Sequence, residues 1–246
     1  MENPETVVIE VPPAHPASLS GVAGGLPRRT QLYELLVFLA LIVPSMVISF
    51  FATHQGKVSF DLLALATIVR DVALVCLVVF FLWRDSEPMA HAGWRWAGYA
   101  TEVVLGLVIF VPLTFGTGLI DQYLRLIGFS SGNTSFLTPK TPLQFGLAAV
   151  LVVVVAFAEE TIFRGYLILR FANLTRSRVA AVILSTAVFT VGHGYEGTAG
   201  LVTVAILGFV FALVYLWRKS LVAPMVMHFL QDFIGIVALP LLAHKH

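Results

Sequence analysis

Seven long apolar segments determine what this chain can fold into. A helix crosses a bilayer with about 20 apolar residues, and most of these segments reach that length. Of the 246 residues, 58% are hydrophobic and 12% are charged, with a mean hydropathy of +0.90. We therefore predict an all-α fold, a polytopic transmembrane helical bundle of about seven to eight helices. The segments are 31–52, 60–83, 97–120, 143–170, 178–193, 199–217 and 220–243.

The first 30 residues differ from the rest of the chain. They combine acidic residues with several prolines and lack the basic and then apolar order of a cleaved signal peptide. We expect residues 1–30 to form a disordered cytosolic tail and residues 31–246 to form one membrane domain. The net charge of +1 gives no indication of nucleic acid binding.

Basic residues in the loops predict the orientation. A cytosolic N-terminus places nine Lys and Arg residues inside and four outside, which agrees with the positive-inside rule. We expect a multi-pass protein of the cell membrane with its N-terminus in the cytosol. Counted inside are Arg28, Arg29, Arg84, Arg95, Arg170, Arg176, Arg178, Arg218 and Lys219, and outside Lys57, Arg125, Lys140 and Lys245.

Three polar motifs interrupt the apolar segments, and they contain Glu159, His193 and His228. Charged side chains inside a membrane are costly and usually mark a functional site. At about 1.5 Å per residue, the three side chains lie roughly 16, 22 and 14 Å from the charged ends of their segments. The motifs therefore lie deep enough to meet, and we predict one buried active site.

The first motif contains two adjacent glutamates and an arginine. Glu160 and Arg164 are four residues apart and share one helix face, whereas Glu159 points about 100° away. We predict an ion pair between Glu160 and Arg164, which leaves Glu159 facing a cavity. A carboxylate placed in this way is a candidate general base.

The second and third motifs add two imidazoles. His193 and His228 would hold a water molecule, donate protons or stabilise an oxyanion beside Glu159. Asp232, one turn after His228, would accept its N–H and fix its tautomer. Phe189, one turn before His193, would form an apolar wall. This set of groups predicts hydrolysis of an amide bond within the membrane.

A zinc site is the alternative use of the same atoms. Glu159, His193 and His228 could bind Zn²⁺ with water as the fourth ligand. The sequence has no His-Glu-x-x-His motif, and the three ligands come from separate segments. We therefore expect no cofactor, with zinc as the alternative.

The three motifs resemble those of the CPBP family of intramembrane proteases. The family includes type II CAAX prenyl endopeptidases and bacteriocin-processing or self-immunity (Abi-like) proteins. Its pattern is Glu-Glu-x-x-x-Arg, Phe-x-x-x-His and His-x-x-x-Asn/Asp, each on its own membrane helix, and the resemblance covers about 143–243. The matching residues are Glu159, Glu160, Arg164, Phe189, His193, His228 and Asp232.

The resemblance implies a catalytic mechanism and a class of substrate. It implies that Glu159 and His193 activate water, while His228 and Asp232 help to form the oxyanion site. Characterised relatives usually have eight helices. The expected substrate is a hydrophobic or lipidated peptide or protein, which includes CAAX-prenylated proteins, and the other partner is membrane lipid.

Two other functions fit the polar motifs. A non-catalytic membrane partner or immunity protein would use them for folding, and an ion-coupled transporter would use them as a proton relay. The chain shows no internal repeat of the kind that many transporters have. Arg70 and Asp71 also lie within an apolar segment, and we expect them to form structural ion pairs with other helices.

Overall fold

The computed structural model describes residues 26–54 and 58–243, so residues 1–25 of the predicted tail lie outside the described residues. Within the described residues, all regular structure is helical, and seven main helices confirm the predicted fold class. Residues 28–30 of the predicted tail belong to the first helix. The helices are α1 (Arg28–His54), α2 (Phe60–Arg84), α3 (Tyr99–Leu126), α4 (Pro142–Thr175), α5 (Arg178–Val191), α6 (Gly197–Arg218) and α7 (Val222–Ala243).

Six of these helices are long and apolar enough to cross a membrane, and the chain is a multi-pass membrane protein. The exception is α5, which has 14 residues. The fifth predicted segment was longer because it included His193, which lies just beyond the end of α5. In contrast, α3 continues past the predicted end at residue 120, and a salt bridge between Asp121 and Arg125 stabilises its last turns.

Local sequence signals start the helices that carry the polar motifs. Thr141 caps α4 by accepting a hydrogen bond from the Gln144 N–H, and Pro142 occupies the first helical position. Ser177 caps α5 in the same way through the Ala180 N–H. The turn between α4 and α5 is consequently short, and it makes these two helices antiparallel neighbours.

Helix α4 is the centre of the bundle. It packs against α1, α2, α5, α6 and α7. Residues Glu160–Leu167 of this helix form a π-helical segment, and all eight of its residues are buried. π-helical segments within α-helices occur frequently at functional sites.

Buried charges also occur at the end of the bundle where α1 begins. Arg170 of α4 is fully buried, although we expected it in a cytosolic loop. Its guanidinium lies 3.0 Å from Glu34 and 2.7 Å from Glu87. Arg84 pairs with Glu34 and Asp85. These ion pairs connect α1, α2 and α4, so we call these five residues the structural ion cluster.

Candidate active site

A cavity of about 370 Å³ lies among the helices and contains the predicted site. It is lined by residues of α1, α2, α4, α5, α6 and α7, by the α5–α6 turn and by the loop between α3 and α4. Glu159, His193, His228 and Asp232 all line it, together with Phe189. The structure therefore brings the three motifs to one place, as their spacing predicted.

Glu160 and Arg164 form a fully buried ion pair. Arg164 donates from Nη1 to Oε1 of Glu160 at 2.9 Å. The same carboxylate oxygen lies 2.8 Å from Nδ1 of His228, so Glu160 accepts from both α4 and α7. Glu160 thus connects the arginine to the histidine and fixes the orientation of the imidazole ring.

Two aromatic rings hold Arg164 in place. Its guanidinium lies 4.2 Å from the ring centre of Phe189 and 5.3 Å from that of Phe211. The backbone carbonyl of Gly208 accepts a hydrogen bond from Nη2 at 3.3 Å. A Cβ at Gly208 would lie 3.0 Å from Phe189 and 3.3 Å from Arg164. The sequence predicted Phe189 only as an apolar wall, and it gave no indication of Phe211 or Gly208.

Glu159 has no comparable partner. The residue is 9% exposed, and its Oε2 atom is buried without a hydrogen bond within the described residues. The Oε2 atom of Glu159 lies 3.8 Å from Nε2 of His228, which is its ion-pair partner when the ring is protonated. Of two adjacent glutamates, one therefore has a permanent counter-ion and the other faces the cavity.

His193 follows the end of α5 and has a defined tautomer. Its Nδ1 atom lies 2.9 Å from the carbonyl oxygen of Phe189. Because a carbonyl oxygen only accepts, Nδ1 must carry a proton, and Nε2 of the neutral ring is an acceptor. The ring also packs against the ring of Phe189 at a tilted angle of 48°, with the ring centres 4.6 Å apart. These contacts leave one nitrogen of His193 available to hold a water molecule.

His228 differs from the prediction in its partner. We expected Asp232 to fix its tautomer, but Glu160 makes the short contact, at 2.8 Å to Nδ1. Asp232 lies 3.5 Å from Nε2, on the other side of the ring. A carboxylate from a neighbouring helix is closer than the one a turn away on the same helix. As a result, Nε2 of His228 lies between Glu159 and Asp232.

Two charged residues of the cavity lining fall outside the predicted site. Arg70 lines the cavity and contacts Asp71 at 2.8 Å, so the ion pair is within α2 rather than between helices. Glu196, at the turn between α5 and α6, also lines the cavity. Glu196 lies beside a glycine-containing turn, and this position gave no reason to predict it as a site residue.

The donor groups do not form a metal site. Within residues 26–54 and 58–243, no group of three His, Cys, Asp or Glu side chains has a geometry that could hold a metal ion. The described residues therefore do not fit a bound Zn²⁺, and we derive no step through a metal.

The fold and the site define a helical membrane protein with a Glu/His/Asp cavity inside the bundle. Residues 141–234 match the family described as type II CAAX prenyl endopeptidase Rce1-like. All seven predicted site residues lie within this match, which confirms the family resemblance and indicates a protease. No curated protein and no solved structure gives a significant match to the chain.

Proposed function

We propose that this protein is an intramembrane endopeptidase that uses Glu159 to activate water. The observation that carries the proposal is the position of Glu159, a cavity-lining carboxylate whose Oε2 atom has no hydrogen bond within the described residues and lies 3.8 Å from Nε2 of His228. A structural role would give this buried carboxylate a dedicated counter-ion, as Glu160 has in Arg164. A general base instead needs an oxygen that can take a proton.

In the first step, water lies between Glu159 and His193. Nε2 of His193 accepts one hydrogen bond from the water, and Glu159 takes a proton from it. The water oxygen then forms a bond to the carbonyl carbon of the scissile peptide. The carbonyl oxygen becomes an oxyanion, which a protonated Nε2 of His228 stabilises by donating a hydrogen bond.

In the second step, the tetrahedral intermediate collapses. The carbon–nitrogen bond breaks, and Glu159 returns its proton to the amine that leaves. Glu160 and Arg164 act as positioning residues, because they hold His228 through Nδ1 and touch no substrate. Asp232 lies on the Nε2 side of His228, at 3.5 Å, and favours the protonated ring when the oxyanion forms.

A hydrophobic or lipidated peptide is the substrate class that best suits this cavity. The polar groups lie at one place in a cavity that also has apolar walls, such as Leu63, Leu151 and Leu207. An apolar substrate would enter from the bilayer. For the protein itself we propose the location and orientation that the sequence predicts, in the cell membrane with a cytosolic N-terminus. CAAX-prenylated peptides are one group within this class.

The test is cleavage of hydrophobic and farnesylated peptide libraries by purified protein in liposomes. We compare the wild type with Glu159→Gln and His193→Ala, each with and without a zinc chelator. Glu102→Gln is the matched control, because Glu102 is also a buried glutamate but pairs with Arg218 away from the cavity.

The expected result is cleavage by wild type and Glu102→Gln that resists chelation and is lost in both site variants. Loss of wild-type cleavage on chelation would contradict the metal-free mechanism. If well-folded wild type cleaves nothing in either library, the protein is better explained as a non-catalytic partner. Proton-gradient-dependent uptake into vesicles would instead favour a transporter.

A further inference from the structure

The loop between α3 and α4, residues 127–141, folds back over the cavity. Its residues Thr134, Phe136, Leu137 and Thr138 line the same cavity as Glu159. They approach from the end of the bundle where α5 stops short. The loop therefore supplies a wall that no helix provides.

Backbone contacts fix this loop to the start of α6. The Gly132 N–H donates to the Glu196 carbonyl at 2.7 Å, and the Ala199 N–H donates to the Ser130 carbonyl at 3.1 Å. Ser130 and Thr198 are also hydrogen-bonded through their hydroxyl groups, at 3.1 Å. These contacts place the loop at a defined distance from the site.

Only glycines allow the two backbones to approach so closely. A Cβ at Gly132 would lie 2.0 Å from the Tyr195 carbonyl oxygen. Gly197 has a φ of +78°, and a Cβ there would lie 2.5 Å from the Gly132 nitrogen. The contact therefore requires glycine both in the loop, at Gly132, and at the start of α6, at Gly197.

An aromatic row leads from the loop to the catalytic histidines. The Phe136 ring packs edge-on against Tyr195 at 5.5 Å, and Tyr195 lies 5.9 Å from the His193 ring. His193 in turn contacts Phe189. Phe136 is consequently two ring contacts away from the residue that holds the water.

We propose that Phe136 is a specificity-determining residue that limits the size of the apolar substrate side chain beside the scissile bond. The inference rests on the proposed protease function. An extended peptide whose carbonyl carbon lies at Glu159 has its neighbouring side chains within the cavity. On the side of His193 and Tyr195, the half-buried Phe136 ring and Leu137 close this space with apolar surface.

The experiment is cleavage of a peptide series in which each position flanking the cut carries Ala, Val, Leu, Phe or Trp. We compare wild type, Phe136→Ala and Phe136→Trp. Phe129→Ala is the matched control, because Phe129 belongs to the same loop, is 40% exposed and does not line the cavity.

At one flanking position, Phe136→Ala is expected to raise the kcat/KM ratio of the Trp peptide to the Ala peptide about tenfold, and Phe136→Trp is expected to lower it. The Phe129→Ala ratio should equal that of the wild type. A merely structural role of Phe136 would lower cleavage of all peptides equally. Equal size preference in all four proteins would overturn the inference while leaving the protease function intact.

A binding measurement separates the two proposals. The same peptides, carrying a fluorophore, are titrated into liposomes with Glu159→Gln and with the double variant Glu159→Gln/Phe136→Ala. A preference that shifts towards larger side chains in the double variant supports the size limit at Phe136 independently of cleavage. Identical preferences in the two variants overturn it.

Discussion

Carboxylates are buried both in the structural ion cluster and in the cavity, but Glu159 and Asp232 of the cavity have a different kind of cationic partner. In the structural ion cluster, Glu34, Asp85 and Glu87 each contact an arginine. In the cavity, the ion pairs that Glu159 and Asp232 form within the described residues are both with His228, at 3.8 and 3.5 Å. An arginine stays charged at every accessible pH, whereas a histidine exchanges its proton near neutral pH.

This difference separates a cluster that stabilises the fold from the proposed reaction site. The arginines of the ion cluster, on α2 and α4, fix Glu34 of α1 and the loop residues Asp85 and Glu87, and none of these carboxylates lines the cavity. In the site, Arg164 fixes the Glu160 carboxylate, and Glu160 orients His228. The other ring nitrogen of His228 faces the carboxylates of Glu159 and Asp232. A buried charge in a membrane protein therefore indicates function when its partner can also titrate.

The largest expected effect is on catalysis. Glu159→Gln should reduce the cleavage rate by about 10³-fold, because it removes the general base. It should not reduce stability, because Glu159 is the partner of no arginine. The measurement combines peptide cleavage with a thermal unfolding curve in detergent. A stable variant that still cleaves at the wild-type rate would place Glu159 with the structural charges.

Arg170→Met tests the other region. It removes the arginine partner of Glu87 and one of the two arginine partners of Glu34, so the free energy of unfolding should fall by about 3–5 kcal/mol. The folded fraction of Arg170→Met should cleave peptides at the wild-type rate per molecule. Denaturant titration in mixed micelles measures the stability.

Arg178→Met is the control for Arg170→Met, because Arg178 is an exposed arginine at the start of α5. Its stability should equal that of the wild type. Equal losses in the two variants would show that the buried ion cluster contributes nothing specific.

Phe189→Leu should have a smaller effect on the site. It keeps an apolar side chain but removes the aromatic face over Arg164, an interaction of about 1–2 kcal/mol when it is desolvated. Because Arg164 then holds Glu160 and His228 less firmly, we expect cleavage to fall about tenfold. Phe171→Leu, at a buried phenylalanine away from Arg164, should leave the rate unchanged. An equal loss of rate in both variants would show that the loss comes from poorer packing of the whole bundle and not from the contact between Phe189 and Arg164.

The smallest expected effect concerns the ion pair between Arg70 and Asp71, which lies at the cavity but contains an arginine. Arg70 lines the cavity but binds Asp71, and its side chain is 26% exposed. Arg70→Met should lower the free energy of unfolding by about 1 kcal/mol, between surface and buried ion pairs. Cleavage should fall no more than a few-fold. A loss as large as that of Glu159→Gln would assign Arg70 to the catalytic site.

Hydropathy predicted the helices because every membrane-spanning helix must be apolar, whichever residues it contacts. The motif spacing also predicted that Glu160 pairs with Arg164, since both side chains lie on one helix face. Spacing could not predict the partner of His228. Asp232 is close in sequence, but Glu160 reaches the ring across the interface between α4 and α7.

The unpredicted residues share a physical reason. Phe211 contacts Arg164, and Phe136 contacts Tyr195, through packing between distant parts of the chain. Aromatic residues are common in apolar segments, so their sequence gives no indication of which ones have a specific partner. Only the arrangement of helices and loop shows it.

The short helix α5 has a consequence for the lipid around the protein. Fourteen residues span about 21 Å, whereas the hydrocarbon layer is about 30 Å thick. We expect lipid tails beside α5 to tilt or compress, and this hydrophobic mismatch would bring headgroups and water closer to His193. Short acyl chains fit this local thinning with less strain. The bilayer itself would then help to hydrate the cavity, and its thickness would set how readily water reaches Glu159.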